Sequence, residues 1–134
     1  MPAVTIDVLA GRTAAELRGL TDTVHDAMVE MLDVPERDRF QIVNEHEPRT
    51  FYFNRSYLDI ERSEQFVLVR ITLAAGRSTE AKRAFYGRLA QLLRERLGLR
   101  TEDLGVVLTE NARDDWSFGN GRASYLELPR DAWR

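Results

Sequence analysis

Apolar residues recur along this chain at two different spacings, and the switches between them divide it into strands and helices. The stretches Ala3 to Leu9 and Phe66 to Leu73 are rich in β-branched and apolar residues and read as strands. Leu20, Val24, Met28 and Leu32 then recur at helical steps, as do Phe85, Leu89, Leu93 and Leu97. Each set places one apolar face of a helix against a sheet. Thr13 and Ser78 stand where those helices should begin and are good N-caps, with Glu16 three residues past Thr13 as in a capping box. Asp33 and Gly98 come where the helices should end. Second strands follow near Phe40–Glu45 and Gly105–Glu110.

The two sets are copies of one unit. An offset of 65 residues carries Ala10-Gly11-Arg12-Thr13 onto Ala75-Gly76-Arg77-Ser78, and carries the first helical stripe onto Phe85, Leu89, Leu93 and Leu97. At the same offset Asp38 falls on Asp103, and Ile42-Val43 with Glu45 falls on Val107-Leu108 with Glu110. A loop, a helix face and a strand preserved at one offset mark a duplication. Parallel strands joined by one helix cross over right-handedly. The expected fold is therefore α/β: two fused β-α-β units in a four-stranded sheet with both helices on one face. The whole chain, 1–134, reads as one domain with units at about 2–46 and 66–110.

Helices on one face leave the other uncovered. Phe66-Val67-Leu68-Val69 and Val106-Val107-Leu108 put apolar residues on consecutive strand positions, so both faces are expected to need cover. Oligomerisation with closed symmetry is the simplest source of it. Two segments lie outside the repeat. Residues 47–64, with Phe51-Tyr52-Phe53, a turn at Asn54-Arg55-Ser56 and Tyr57-Leu58-Asp59-Ile60, read as a β-hairpin arm. The tail, 111–134, is aromatic and turn-rich and suits a flap over a pocket or a neighbouring subunit.

Composition narrows the partners. A net charge of −3 argues against a nucleic-acid surface. The absence of cysteine rules out a disulfide frame or thiolate metal site. No signal peptide or membrane-length apolar run is present, which points to a cytoplasmic protein. The two histidines lack ligand spacing, so no metal is expected, and Gly119-Asn120-Gly121 reads as a turn rather than a dinucleotide loop, so no cofactor is expected either.

Candidate chemistry starts at Pro2. Aminopeptidases commonly remove Met1 ahead of a small second residue, and the proline nitrogen then becomes a secondary amine. An α-amino group titrates at about 7.7–8.0 in model peptides, and burial lowers that value, which suits general acid–base work. Pro2 has no counterpart in the second unit, where the equivalent residue is the internal Val67, so such a site exists once per chain. Arg77, just ahead of the second helix, has a planar fork able to grip a carboxylate in two contacts. Its repeat partner Arg12 reads as an exposed charge or a subunit contact. Asp38 either orients a water or a proline cation, or only begins a strand as Asp103 does. His25 lies beside the apolar stripe, as a packed or rim histidine or as a substrate contact. Trp116 and Phe118 read equally as subunit packing or pocket wall.

Pro2, Gly11-Arg12-Thr13, His25, Val34-Pro35 with Asp38-Arg39, Arg77-Ser78, Glu110-Asn111 and Asp115-Trp116-Ser117-Phe118-Gly119 together resemble the tautomerase superfamily, and within it the malonate semialdehyde decarboxylase branch. The resemblance implies a homotrimer whose sheets enclose a central barrel. It also implies a proton-transferring Pro2, a partner carboxylate in Asp38, a substrate-carboxylate clamp in Arg77, and an apolar wall at Trp116 and Phe118. The decarboxylases carry a second arginine two residues before the one matching Arg77, and related dehalogenases one three residues before; here those positions are Ala75 and Ala74. The expected activity is thus enol–keto tautomerisation of a small 2-oxo acid. Decarboxylation or hydration of a three-carbon oxo acid is the alternative, and a trimeric binding module the non-enzymatic one.

Overall fold

The two units lie edge to edge in one sheet of strand order β2-β1-β3-β4. The computed structural model of the protein describes residues 2–133, so Met1 lies outside the described residues. The first unit is β1 (Pro2–Leu9), α1 (Ala14–Leu32) and β2 (Gln41–His46). The second is β3 (Val67–Ala74), α2 (Thr79–Leu97) and β4 (Leu104–Asn111). Each unit pairs its own strands in parallel, and the units join through the antiparallel β1–β3 ladder, which sets Pro2 opposite Leu73. Proline tolerates this place because the first residue of a strand need not donate to the ladder.

The helix ends follow from local chemistry. Thr13 and Ser78 each accept the backbone N–H of the residue three positions on, at 3.1 Å in both cases. Each thereby satisfies one orphan donor of a first helical turn. Asp33 and Gly98 close the two helices in the left-handed region, at φ 52° and 68°. Glycine reaches that region freely, and Asp tolerates it better than most other side chains.

Alternate strand residues build the core. Val4, Ile6 and Val8 of β1 and Val67, Val69, Ile71 and Leu73 of β3 pack with Leu20, Val24, Met28, Phe85, Leu89 and Leu93 of the helices. The opposite sheet face is more polar than consecutive apolar positions implied. At its centre Asp7, only 5% exposed, accepts hydrogen bonds from His46, Asn44 and Arg70. Burial raises the Asp7 carboxyl, but the bonds from His46, Arg70 and Asn44 outweigh it and leave the group below the usual carboxylate range. Ile42 and Val107, 63% and 48% exposed, are the apolar residues this face leaves open to solvent.

The arm is not a hairpin. Residues 47–64 form two 3-10 turns, Pro48–Thr50 and Tyr57–Asp59, without a strand between them. Two causes are visible. Phe51 and Phe53 turn inward onto Phe66, with ring centroids 6.3 and 4.7 Å away, rather than alternating across a ladder. Arg62 also donates one guanidinium nitrogen to the carbonyls of Asn54, Tyr57 and Ile60, supplying donors that a partner strand would otherwise provide. In the tail, a 3-10 turn (Arg113–Asp115), a short helix α3 (Ser124–Glu127) and a final turn (Arg130–Trp133) follow β4. Among the described residues no helix is long and apolar enough to cross a membrane.

Removing either N-cap, by Thr13→Ala or Ser78→Ala, is expected to lower stability by about 1 kcal/mol. Truncating the fully buried Leu93 to alanine should cost about 2–5 kcal/mol. Denaturant unfolding of the three variants checks both the size and the order.

Candidate active site

Both units leave their first strand through the same turn. Gly11 and Gly76 adopt φ 134° and 136°, a conformation that side-chain-bearing residues rarely adopt, and an arginine follows each. In the second unit that arginine is a strap. Arg77 Nε donates to the carbonyl oxygen of Leu32 at 2.9 Å, and Nη1 donates to that of Ala74 at 3.1 Å. One bond satisfies an orphan carbonyl at the end of α1, and the other holds the end of β3. Burial lowers the guanidinium's pKa against the pull of Asp33, Asp38 and Glu110, yet arginine stays a cation at any physiological pH.

Asp38 sits in the turn between α1 and β2, where its own N–H donates to the carbonyl of Pro35 at 2.9 Å. Burial pushes its carboxyl above the usual carboxylate range, opposed by the positive charges of the amino terminus, His25 and Arg77. Asp38 and Arg77 line one cleft of about 370 Å³ with Asp33, Pro35 and the small residues Ala74, Ala75 and Gly76. The ladder sets Pro2 opposite Leu73, the neighbour of Ala74, so the start of β1 lies beside that cleft. Three of the groups that the sequence singled out therefore converge on one end of the sheet.

The repeat partners of Arg77 and Asp38, one from each unit, meet at a different place. Arg12 and Asp103 line a smaller cavity, about 220 Å³, into which the chain entering β3 projects Ser63 and Gln65. Asp103, 1% exposed, accepts the backbone N–H and the hydroxyl of Ser63, both at 2.6 Å. Arg12 donates to the carbonyl of Gln65 at 2.7 Å. The repeat partners of Asp38 and Arg77 are thus consumed by the fold, and Asp103 has a structural role that does not extend to Asp38.

The remaining sequence candidates stand outside the cleft. His25 is 5% exposed and bonds through Nε2 to the carbonyl of Glu36 at 2.8 Å. In that bond Nε2 donates, and Nδ1 is buried with no hydrogen-bond partner among the described residues. His25 reaches Asp38 through charge and through the loop it holds, and it lines a separate depression with Glu36 and Arg39. Trp116 and Phe118 stack on one another at 5.5 Å, and Phe118 stacks on Phe40 at 5.6 Å. They back the tail rather than line the cleft. The tail residues that do line it are Arg113, Tyr125 and Arg130, none of which the sequence singled out. Their only signal was the aromatic, turn-rich character of the segment.

Comparison with known proteins shows the family of the chain. A family described as "Tautomerase enzyme" matches residues 38–119, and a second of the same description matches residues 2–58. The probable tautomerase YusQ of Bacillus subtilis (strain 168) is 39% identical over 127 residues, covering 95% of this chain and 100% of its own. The structure of a malonate semialdehyde decarboxylase, described for decarboxylase and hydratase activities, superposes with TM-score 0.88 at 38% identity, over 92% of this chain and 95% of its own. A fused 4-OT, a symmetric trimer, superposes with TM-score 0.73 at 25% identity, over 90% and 94% of the two chains.

The two repeat-related aspartates should respond oppositely to substitution. Asp103→Asn disturbs a buried acceptor of two hydrogen bonds and should lower stability by about 1–3 kcal/mol. Asp38 has its folded pKa raised, so its favourable contribution belongs to the protonated form and is lost as pH rises through that value. Above that value the deprotonated Asp38 is therefore a burden on the fold. Asp38→Asn should melt at or above the wild-type temperature there, and that advantage should shrink toward acid pH. Thermal melts across pH check both signs.

Proposed function

The chain belongs to the tautomerase enzyme family, and we propose that it interconverts the enol and keto forms of a small 2-oxo acid with the Pro2 amine as base and then acid. The observation that carries this reading is the contrast between the two units. One end of the sheet holds Asp38, Arg77 and the start of β1 around a cleft, while at the repeat-related place Asp103 and Arg12 are bonded to Ser63 and Gln65.

The chemistry follows from the groups. With Met1 removed, neutral Pro2 nitrogen takes the hydroxyl proton of the enol as the C–O bond becomes a carbonyl. The electrons of the carbon–carbon double bond then take a proton from the resulting prolinium at the neighbouring carbon. The enzyme ends as it began, with no redox change. Asp38 offsets the prolinium charge, and Arg77 fixes the substrate carboxylate with the N–H groups left over from its two backbone bonds. The start of α2, directly after Arg77 and Ser78, adds its positive dipole end for the same anion.

A second reading is favoured by the likeness to malonate semialdehyde decarboxylase. In it a protonated Pro2 polarises the carbonyl of a three-carbon oxo acid while Asp38 positions water. Either way the working form is proposed to be a homotrimer, supported by the trimeric fused 4-OT and by exposed Ile42 and Val107 on the helix-free face.

Intact mass first establishes whether Met1 is absent. Loss of enol absorbance on enolpyruvate acids then reports ketonisation, and carbon dioxide release from a three-carbon 3-oxo acid reports the second reading. Pro2→Ala should lower kcat by about 10²-fold or more, the range of general acid–base catalysis. A serine inserted ahead of Pro2 should do the same by keeping its nitrogen an amide. Arg77→Lys, which retains the charge but loses the fork, should act mainly on KM. A processed protein that ketonises no enol acid, or a Pro2→Ala variant equal to wild type, would sink the tautomerase mechanism.

A further inference from the structure

The loop between α1 and β2 borders two cavities. Pro35 and Asp38 line the cleft beside the start of β1, whereas Glu36 and Arg39 line a separate depression of about 350 Å³ together with His25. Residues 33–40 form neither helix nor strand, so their position depends on ties to the helix before them. At the start of the loop Val34, 3% exposed, donates its N–H to the carbonyl of Met28 at 3.4 Å. At its end Arg39 reaches Asp22 at 2.6 Å, but both side chains are well exposed, and such pairs contribute little. In the middle, His25 of α1 donates from Nε2 to the carbonyl of Glu36 at 2.8 Å, two residues before Asp38.

The chemistry of the ring points to that bond. His25 is 5% exposed, and its Nδ1 is buried with no hydrogen-bond partner among the described residues. Burying a polar nitrogen unmatched opposes folding, and an apolar side chain would fill the same space without doing so. Packing alone therefore does not account for a histidine at this place. Nor does an ion pair in the depression, where Asp26 is engaged by Arg96 at 2.7 Å and Glu30 by Arg88 at 3.0 Å. We propose that His25 is a positioning residue: through its bond to Glu36 it fixes the loop that presents Asp38, and so fixes where the Asp38 carboxyl stands relative to the Pro2 amine. The inference rests on the proposed reading of Asp38 as the partner of that amine, but not on which reaction the amine performs. Burial raises the Asp38 carboxyl, and the positive amino terminus opposes it more than His25 or Arg77 does. That pull is mutual, so a displaced Asp38 is felt at the amine.

The amine itself reports the effect without turnover. Nitrogen NMR titration of the processed protein reads the pKa of the Pro2 amine. His25→Ala should lower it, because the loop no longer holds a carboxylate beside the charged amine. His25→Gln keeps a donor within reach of the Glu36 carbonyl and should restore most of the value. On turnover, His25→Ala should lower kcat about tenfold or more, the scale of a small misplacement, with KM little changed because Arg77 is untouched. In an Asp38→Asn background His25→Ala should add nothing to either loss, since it then has no carboxylate to place. Should His25→Ala fail to fold, His25→Leu, which fills the space without a donor, takes its place. The inference is overturned by an unchanged amine pKa in the variant without a donor, by a His25→Gln protein as impaired as His25→Ala, or by losses that add in the double variant. A rise in KM alone overturns it too, because that would put His25 on the substrate. A protein that ketonises nothing, yet shows the amine shift and its rescue, keeps this inference and loses the tautomerase reading. One that ketonises at the wild-type rate with His25→Ala does the reverse.

Discussion

The antiparallel register between β1 and β3 is the constraint on which the cleft depends. Each unit alone would bring a helix start and a turn to a strand end, but only this ladder sets the beginning of one unit against the end of the other's first strand. Pro2 opposite Leu73 follows from it, and so does the reach of Arg77 back to Leu32 across the unit boundary. A slip of one residue would reverse which strand faces meet the helices. The full apolar burial of Ile6, Val8, Val67 and Val69 forbids that slip, so core packing and site geometry hold the same register.

Duplication supplies parts in pairs, and the linker decides which pair keeps a cleft. In the second half the segment that leads into β3 supplies partners for that pair itself. Ser63 satisfies Asp103 and Gln65 satisfies Arg12, so the later copy is an internal joint. The helix-free face shows a related economy. Its centre is a closed polar cluster around Asp7, while its open apolar atoms are on β2 and β4, the strands at the sheet edges.

Much of this was legible in the sequence because it rests on local rules. Strand and helix spans, both N-caps, both helix ends and the repeat follow from periodicity and capping chemistry that act over a few residues. The arm was misread because Phe51, Phe53 and Phe66 form a cluster that alternation cannot reveal, and because Arg62 stands in for a partner strand. Pro2, Asp38 and Arg77 were singled out through the repeat and the resemblance, and the fold brings them to one end of the sheet. Arg113, Tyr125 and Arg130 were missed because a cleft wall made by irregular chain has no period to detect. His25 illustrates the same limit: its position beside the stripe was readable, but the bond to Glu36 that holds its ring was not.

Arg77 has a consequence for how such a chain can change over time. The guanidinium that faces the cleft also fastens α1 to β3, so the position answers to cohesion and to the proposed recognition at once. A replacement must pass both demands in a single step, which makes the position slow to drift. In the irregular tail Arg113 lies over the Tyr125 ring and Arg122 pairs with Glu127, so exchanges there leave the two backbone bonds of Arg77 in place. Divergence among chains of this architecture should therefore accumulate on the tail side of the cleft, with the arginine ahead of α2 as the fixed point around which new preferences are tried.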